Sequence, residues 1–145
     1  MSIINQMRLE FWGCAQNESF ARVVISAFAV QLSPTIEEVS DIKTAVSEAV
    51  TNAIIHGYEG TQGTVTLSAT IDDSRTLSIE VEDRGKGIAD LEQAMQPFYT
   101  SHPELERSGM GFAVMQSFMD ALEVRSTVGE GTRVCMRKHF AQSEK

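Results

Sequence analysis

The chain has 145 residues and a formal net charge of -8, enough for one two-layer core without staples, and too acidic for direct nucleic-acid binding, which needs clustered Lys and Arg. Cys14 and Cys135 are the only thiols, form no metal motif with the histidines, and read as buried, reduced residues. No stretch approaches the roughly 20 apolar residues of a membrane span, and charges at Arg8, Glu10, Glu18 and Arg22 exclude a secretory signal, so one soluble, cytoplasmic domain over 1–145 is expected.

Met7 to Trp12 alternates apolar and polar residues, as a strand with one buried face does. Asn17 is placed to cap a helix over about 18–32, with Phe20, Val23, Val24, Ala27, Phe28 and Gln31 at helical spacing. Ser33-Pro34 breaks it. Thr35 and Glu38 have the spacing of a capping box ahead of a second helix, whose stripe runs through Ile36, Val39, Ile42, Val46, Ala49, Val50 and Ala53. Gly57 suits a left-handed C-cap for that helix.

Val65, Leu67, Ala69 and Ile71, then Leu77, Ile79 and Val81, alternate on either side of an Asp72 to Arg75 turn and predict a β-hairpin. From Ile88 to Ser108 the pattern loosens into a long loop, with at most a helical turn near Asp90 to Met95; loops of that length are commonly functional. Helical period returns over Gly109 to Ala121 through Met110, Val114, Phe118 and Ala121, with Met115 and Met119 beside them as core filler. Leu122 to Val128 and Thr132 to His139 follow as two strands around a Gly129 to Gly131 turn. The fold class is therefore α/β (α+β): a two-layer sandwich with a mixed, mostly antiparallel sheet covered on one face by three helices.

Four short patterns carry chemistry. Glu48 and Asn52 share one helix face, about 6 Å apart at Cβ, bordering the apolar stripe where a carboxylate and an amide can face a cleft. A surface Glu beside a solvated Asn fits the same spacing. Asp83-Arg84-Gly85-Lys86-Gly87 follows a strand; the Asp can accept from an exocyclic amine and the glycines let backbone approach a ligand, though a plain turn reads the same way. Ser108-Gly109-Met110-Gly111 opens a helix whose free N–H groups and dipole favour phosphate. Gly129-Glu130-Gly131-Thr132 sets a hydroxyl at the start of the last strand, and in isolation reads as an ordinary hairpin turn.

In this order and spacing the four patterns resemble the GHKL ATP-binding superfamily, which includes gyrase B, Hsp90, MutL and the catalytic domains of histidine kinases, and whose Bergerat-type sandwich matches the predicted element order. Within it the chain is similar to the anti-sigma factor kinases, in particular the anti-sigma F factors of spore-forming bacteria, through Gln16 to Arg22 (QNESFAR), Ser47 to Tyr58 (SEAVTNAIIHGY) and Pro103 to Phe112 (PELERSGMGF). The resemblance runs from about Met7 to His139. Arg84 stands where that family often has an acidic residue, and His102 where a lysine is common in the lid.

The resemblance implies a protein serine kinase that binds ATP or ADP with Mg²⁺. By analogy Asn52 holds the metal, Asp83 accepts the adenine amine with Thr132 in support, and Gly85 and Gly87 make room for the base. Ser108, Gly109 and Gly111 cradle phosphates; Arg107 reaches the γ-phosphate from a lid over about 88–110, in which Thr100 and Ser101 are further contacts. Glu48 is the implied general base for a serine hydroxyl. That serine lies on an anti-anti-sigma factor supplied in trans, while Glu18 and Arg22 on the first helix hold this protein or a sporulation sigma factor, sigma F-like, which the chain sequesters as a homodimer. His56 and His139 are structural in this reading. A non-catalytic, nucleotide-gated sigma-binding module shares every nucleotide residue and remains the alternative; an ATPase or a histidine kinase would need a transducer domain or a phosphoacceptor helix pair.

Overall fold

The computed structural model describes residues 2–58, 63–95 and 111–141. Its centre is the hairpin of β2 (Thr64–Asp72) and β3 (Thr76–Asp83), flanked by β1 (Ile3–Trp12) on one side and by β5 (Gly131–His139) and then β4 (Ala121–Thr127) on the other. All four pairings are antiparallel, so the sheet, expected as mixed and mostly antiparallel, is antiparallel throughout the described residues. Alternation sets its two faces. Val65, Leu67, Ala69, Ile71, Leu77, Ile79 and Val81 are all buried in one core, whereas the opposite face carries Glu80 and Glu82, to which Arg133 pairs at 3.1 and 2.7 Å.

Three helices close the apolar face: α1 (Ala15–Ala29), α2 (Ile36–Asn52) and α4 (Gly111–Phe118), with α1 and α4 each packed on α2. A short α3 (Leu91–Ala94), capped by Asp90, stands where a helical turn was expected. The capping box of α2 is formed as the spacing required, with Thr35 Oγ1 accepting from Glu38 N and Glu38 Oε1 accepting from Thr35 N. Among the described residues no helix is long and apolar enough to cross a membrane.

Helix faces and ends depart from the sequence reading in instructive ways. Apolar residues of α1 spread over more than one face, and the core takes its Ala21, Ile25 and Ala29, leaving Phe20 and Val23 48% and 64% exposed. Small residues win because α2 presents Ala45 and Ala49 to the same core, and short side chains on both helices let the backbones approach. The helix starts at Ala15, ahead of Asn17, whose amide instead donates to the Trp12 carbonyl. In α4 the buried side chains are Phe112 and Met115, followed by Met119 just past its end; Val114 and Phe118 are only half-buried, and Ala121 already belongs to β4. Cys14 is exposed and Cys135 half-buried, so neither thiol is the buried residue expected.

The β2–β3 turn is held by one carboxylate. Asp72 Oδ1 accepts from the Ser74 hydroxyl and from the N–H groups of Ser74 and Thr76, which pulls its pKa below the ordinary 3.8. Arg75 adopts a left-handed φ of 67°, an uncommon conformation for a side chain of its kind. Its guanidinium donates to the carbonyls of Leu32 and Phe140, and its own carbonyl accepts from Phe140 N.

Because the folded pKa of Asp72 is depressed, its contribution to stability is present above the unfolded value and lost as pH falls through the folded one. Asp72→Ala therefore lowers stability at neutral pH, and its urea-denaturation curve converges on that of the wild type as the pH drops below 3.8.

Candidate functional site

The site begins where α2 changes its winding. After Asn52 the helix widens into a π-helical turn (Ala53–Gly57), an irregularity often found at functional sites. Gly57 has no left-handed φ and is not the C-cap expected. It is glycine because of what it faces: a Cβ there would lie 2.8 Å from the Asp83 carboxylate, and one on Gly85 would fall 1.9 Å from the Gly57 carbonyl oxygen. The end of α2, the end of β3 and the following loop thus meet at backbone distance, closed by Lys86 N donating to Gly57 O at 2.9 Å.

Asp83 sits at this junction, 7% exposed, accepting from Gly85 N at 2.9 Å. Burial pushes its carboxyl above the ordinary 3.8, the N–H groups of Gly85 and Thr132 pull it back, and the charge of Glu82 adds to the rise. The β3–β5 register sets Thr132 directly opposite Asp83, and the β4–β5 register sets Ser126 opposite Thr132. Ser126 Oγ lies 2.8 Å from Thr132 Oγ1 and accepts from Ile88 N at 2.7 Å. Gly87, at φ 77°, turns the loop so that Ile88 arrives there.

Asp83, Gly87 and Thr132 form one end of a cavity of about 420 Å³, walled by Ile88, Phe112, Val128 and Val134 and reaching past His56 to Asn52 and Gly111. The size is that of a site for a drug-sized ligand. Asn52 Nδ2 is buried there with no hydrogen-bond partner among the described residues, and a buried polar group of this kind is satisfied by a bound water, ion or ligand. Among the described residues no three His, Cys, Asp or Glu side chains gather as a metal cage. A single amide ligand nevertheless fits Mg²⁺, which typically keeps waters and phosphate oxygens and takes only one or two protein groups.

Glu48 lies one turn before Asn52, in a second depression between α1 and α2 that Arg22, Lys43 and Ser47 also line. It also borders the cavity, since a Cβ on Gly111 would come within 3.3 Å of Glu48 Oε2 and 3.2 Å of Asn52 Nδ2. Arg22 Nε is 3.3 Å from Glu18 Oε1, an ion pair whose angle leaves that nitrogen without an aligned hydrogen bond. The Glu18 carboxylate also accepts from Ser47 Oγ on α2, which ties the pair to the helix bearing Glu48.

The structure thus brings Asn52, Asp83, Gly87, Gly111 and Thr132 around one cavity, with Gly85 packed behind it against the Gly57 backbone, Glu48 on its border and Glu18 and Arg22 beyond it. Thr100, Ser101, Arg107, Ser108 and Gly109, with His102 and the lid beyond residue 95, lie outside the described residues. Arg84 is exposed and is not among the described residues that line the cavity. Sequence reasoning missed Gly57, Ser126 and Tyr58, whose hydroxyl donates to Thr64 O and accepts from Arg84 N. Only the strand register, which pairs Ser126 with Thr132, could have signalled the second.

Gly85→Ala forces a methyl into the Gly57 backbone. The expected cost is about 1–3 kcal/mol, the range for overpacking a close-fitted interior, read as a lower midpoint in urea denaturation with an unchanged slope.

Residues 14–138 match the Histidine kinase-like ATPase domain family. The anti-sigma F factor of Clostridium acetobutylicum is 59% identical over 140 residues, covering 97% of each chain, and that of Thermoanaerobacter sp. (strain X514) is 58% identical over 144 residues, covering 99% of this chain and 100% of its own. Among solved structures, the RsbU and RsbW domains of Rv1364c from Mycobacterium tuberculosis share the fold at TM-score 0.71 and 15% identity, over 97% of this chain and 34% of that one. ShkA in complex with AMPPNP shares it at TM-score 0.58 and 21% identity, over 74% of this chain and 23% of that one. With its match to the domain over 125 residues and its relatives matched end to end, the chain belongs to the histidine kinase-like ATPase domain family and, within it, to the anti-sigma F factors.

Proposed function

We propose that the chain is a cytoplasmic anti-sigma factor and protein serine kinase: it binds ATP or ADP with Mg²⁺, sequesters a sporulation sigma factor, and phosphorylates a serine of its anti-anti-sigma antagonist. The observation that carries the kinase reading is the position of Glu48 on the border between two depressions, one sized for a nucleotide and one beside Arg22. A base for phosphoryl transfer to a protein hydroxyl has to face both.

In this reading Asp83 and Thr132 hold the base end of the nucleotide. Asn52, at the other end, takes the Mg²⁺, which when bound neutralises phosphate charge. Gly111 leaves room for the phosphates at the start of α4, with Ser108 and Gly109 before it and Arg107, Thr100 and Ser101 from the lid. The acceptor serine's oxygen forms a bond to the γ-phosphorus as the bond to the leaving ADP oxygen breaks, and Glu48 takes the hydroxyl proton. Glu18 and Arg22 hold the protein partner, with Arg22 supplying a planar head suited to an interface anchor. The similarity to anti-sigma F factors supports the sigma-binding half, and the homodimeric state belongs to the same reading.

Purified protein incubated with labelled ATP and the anti-anti-sigma protein should transfer label to one serine. Glu48→Gln should keep ATP binding and slow transfer about 10²–10⁴-fold, the usual contribution of a general base; undiminished transfer removes Glu48 from that role. Transfer absent from the wild type, with sigma affinity still set by nucleotide, leaves a nucleotide-gated binding module.

Arg22→Ala should leave ATP affinity unchanged and weaken sigma-factor binding in a pull-down. Normal capture of sigma factor by that variant excludes the start of α1 from the interface.

A further inference from the structure

Behind the base end of the cavity stands a hydroxyl that the nucleotide reading does not use. Ser126 lies on β4, one strand away from Asp83, and its oxygen has three neighbours at hydrogen-bond distance: Ile88 N at 2.7 Å, Thr132 Oγ1 at 2.8 Å and Gly131 O at 3.1 Å. A serine hydroxyl has one proton and two lone pairs. Ile88 N–H and the Gly131 carbonyl each allow one role only, so the first takes a lone pair and the second takes the proton. The remaining lone pair can be matched only if Thr132 gives its own proton to Ser126.

That assignment leaves Thr132 Oγ1 with lone pairs alone toward the cavity that it lines. Asp83, opposite in register, is an acceptor when ionised. We infer that Ser126 is a positioning residue for nucleobase recognition: it fixes Thr132 as a hydrogen-bond acceptor, so that Thr132 and Asp83 together select a base bearing an exocyclic amino group, and it pins Ile88 at the entry to the lid. The inference rests on the nucleotide-binding reading and adds to it the residue that sets the polarity of the base pocket.

The decisive comparison uses ATP and purine riboside 5′-triphosphate, the same nucleotide without its amino group, in titration calorimetry at fixed Mg²⁺. Wild-type protein should prefer ATP. In Ser126→Ala the affinity for ATP should fall about tenfold, as expected for leaving one buried polar group poorly matched, while the amine-free nucleotide is much less affected, so that the preference narrows. Ser126→Thr, which restores the hydroxyl, should restore the preference. Ser126→Cys, which fills the same space with a weak acceptor, should behave as Ala does and guards against a packing effect. Hydrogen exchange at the Ile88 amide should quicken in the Ala and Cys variants.

An unchanged ATP preference in Ser126→Ala, or an equal loss for both nucleotides accompanied by a lower melting temperature, overturns the inference. Its failure is separable from failure of the underlying reading. If the wild type binds ATP and Asp83→Asn does not, but Ser126→Ala discriminates as the wild type does, the inference alone falls. If the wild type binds neither nucleotide, both fall.

Discussion

The contact on which the site depends is made by atoms that are not there. Gly57 and Gly85 lack the side chains that would separate the end of α2 from the loop after β3, and the Asp83 carboxylate packs directly against Gly57. Without that approach the π-helical turn could not close over the carboxylate, Lys86 N could not reach Gly57 O, and the floor of the cavity would open. Burying an acidic group in this way is unfavourable for its charged form, which is why the Asp83 pKa is raised. The fold tolerates the charge because two backbone N–H groups are aimed at it, and a buried acid with a shifted pKa beside a cavity is characteristic of a ligand site.

Much of the architecture was legible because the central strands are half-buried and alternate without interruption. Val65 to Ile71 and Leu77 to Val81 could face only one way, and the Asp72 turn between them carried its own chemistry. The helices were harder. Residues 20 to 29 are apolar on more than one face of α1, so period alone could not say that Ala21 and Ile25 would be inside and Phe20 and Val23 outside. Shape complementarity with Ala45 and Ala49 decided it, and that is a property of two helices together.

The site was legible in its parts and not in its joints. Glu48, Asn52, Asp83, Gly111 and Thr132 were all named from motif order, and they do converge on one cavity or its border. Gly57 was read as a helix stop, since nothing local reveals that Asp83 lies beneath it. Ser126 and Tyr58 act through partners 38 and 26 residues away, Ile88 and Arg84, and such pairings exist only once the register is known. Pattern thus identifies groups that face a ligand more readily than groups that hold them in place.

The left-handed turn at Arg75 bears on how motion can travel. Strand β3 leaves this turn and, after eight residues, or about 25 Å at the usual rise per residue, ends at Asp83. Its first end is moored by a guanidinium bound to carbonyls from other parts of the chain, whereas its second end, paired with Val65 and Thr132, faces the Gly57 backbone and the cavity. A strand fastened at one tip cannot slide along its neighbours when something settles at the other. Whatever the cavity admits must instead be felt sideways, through the helix that leans on it.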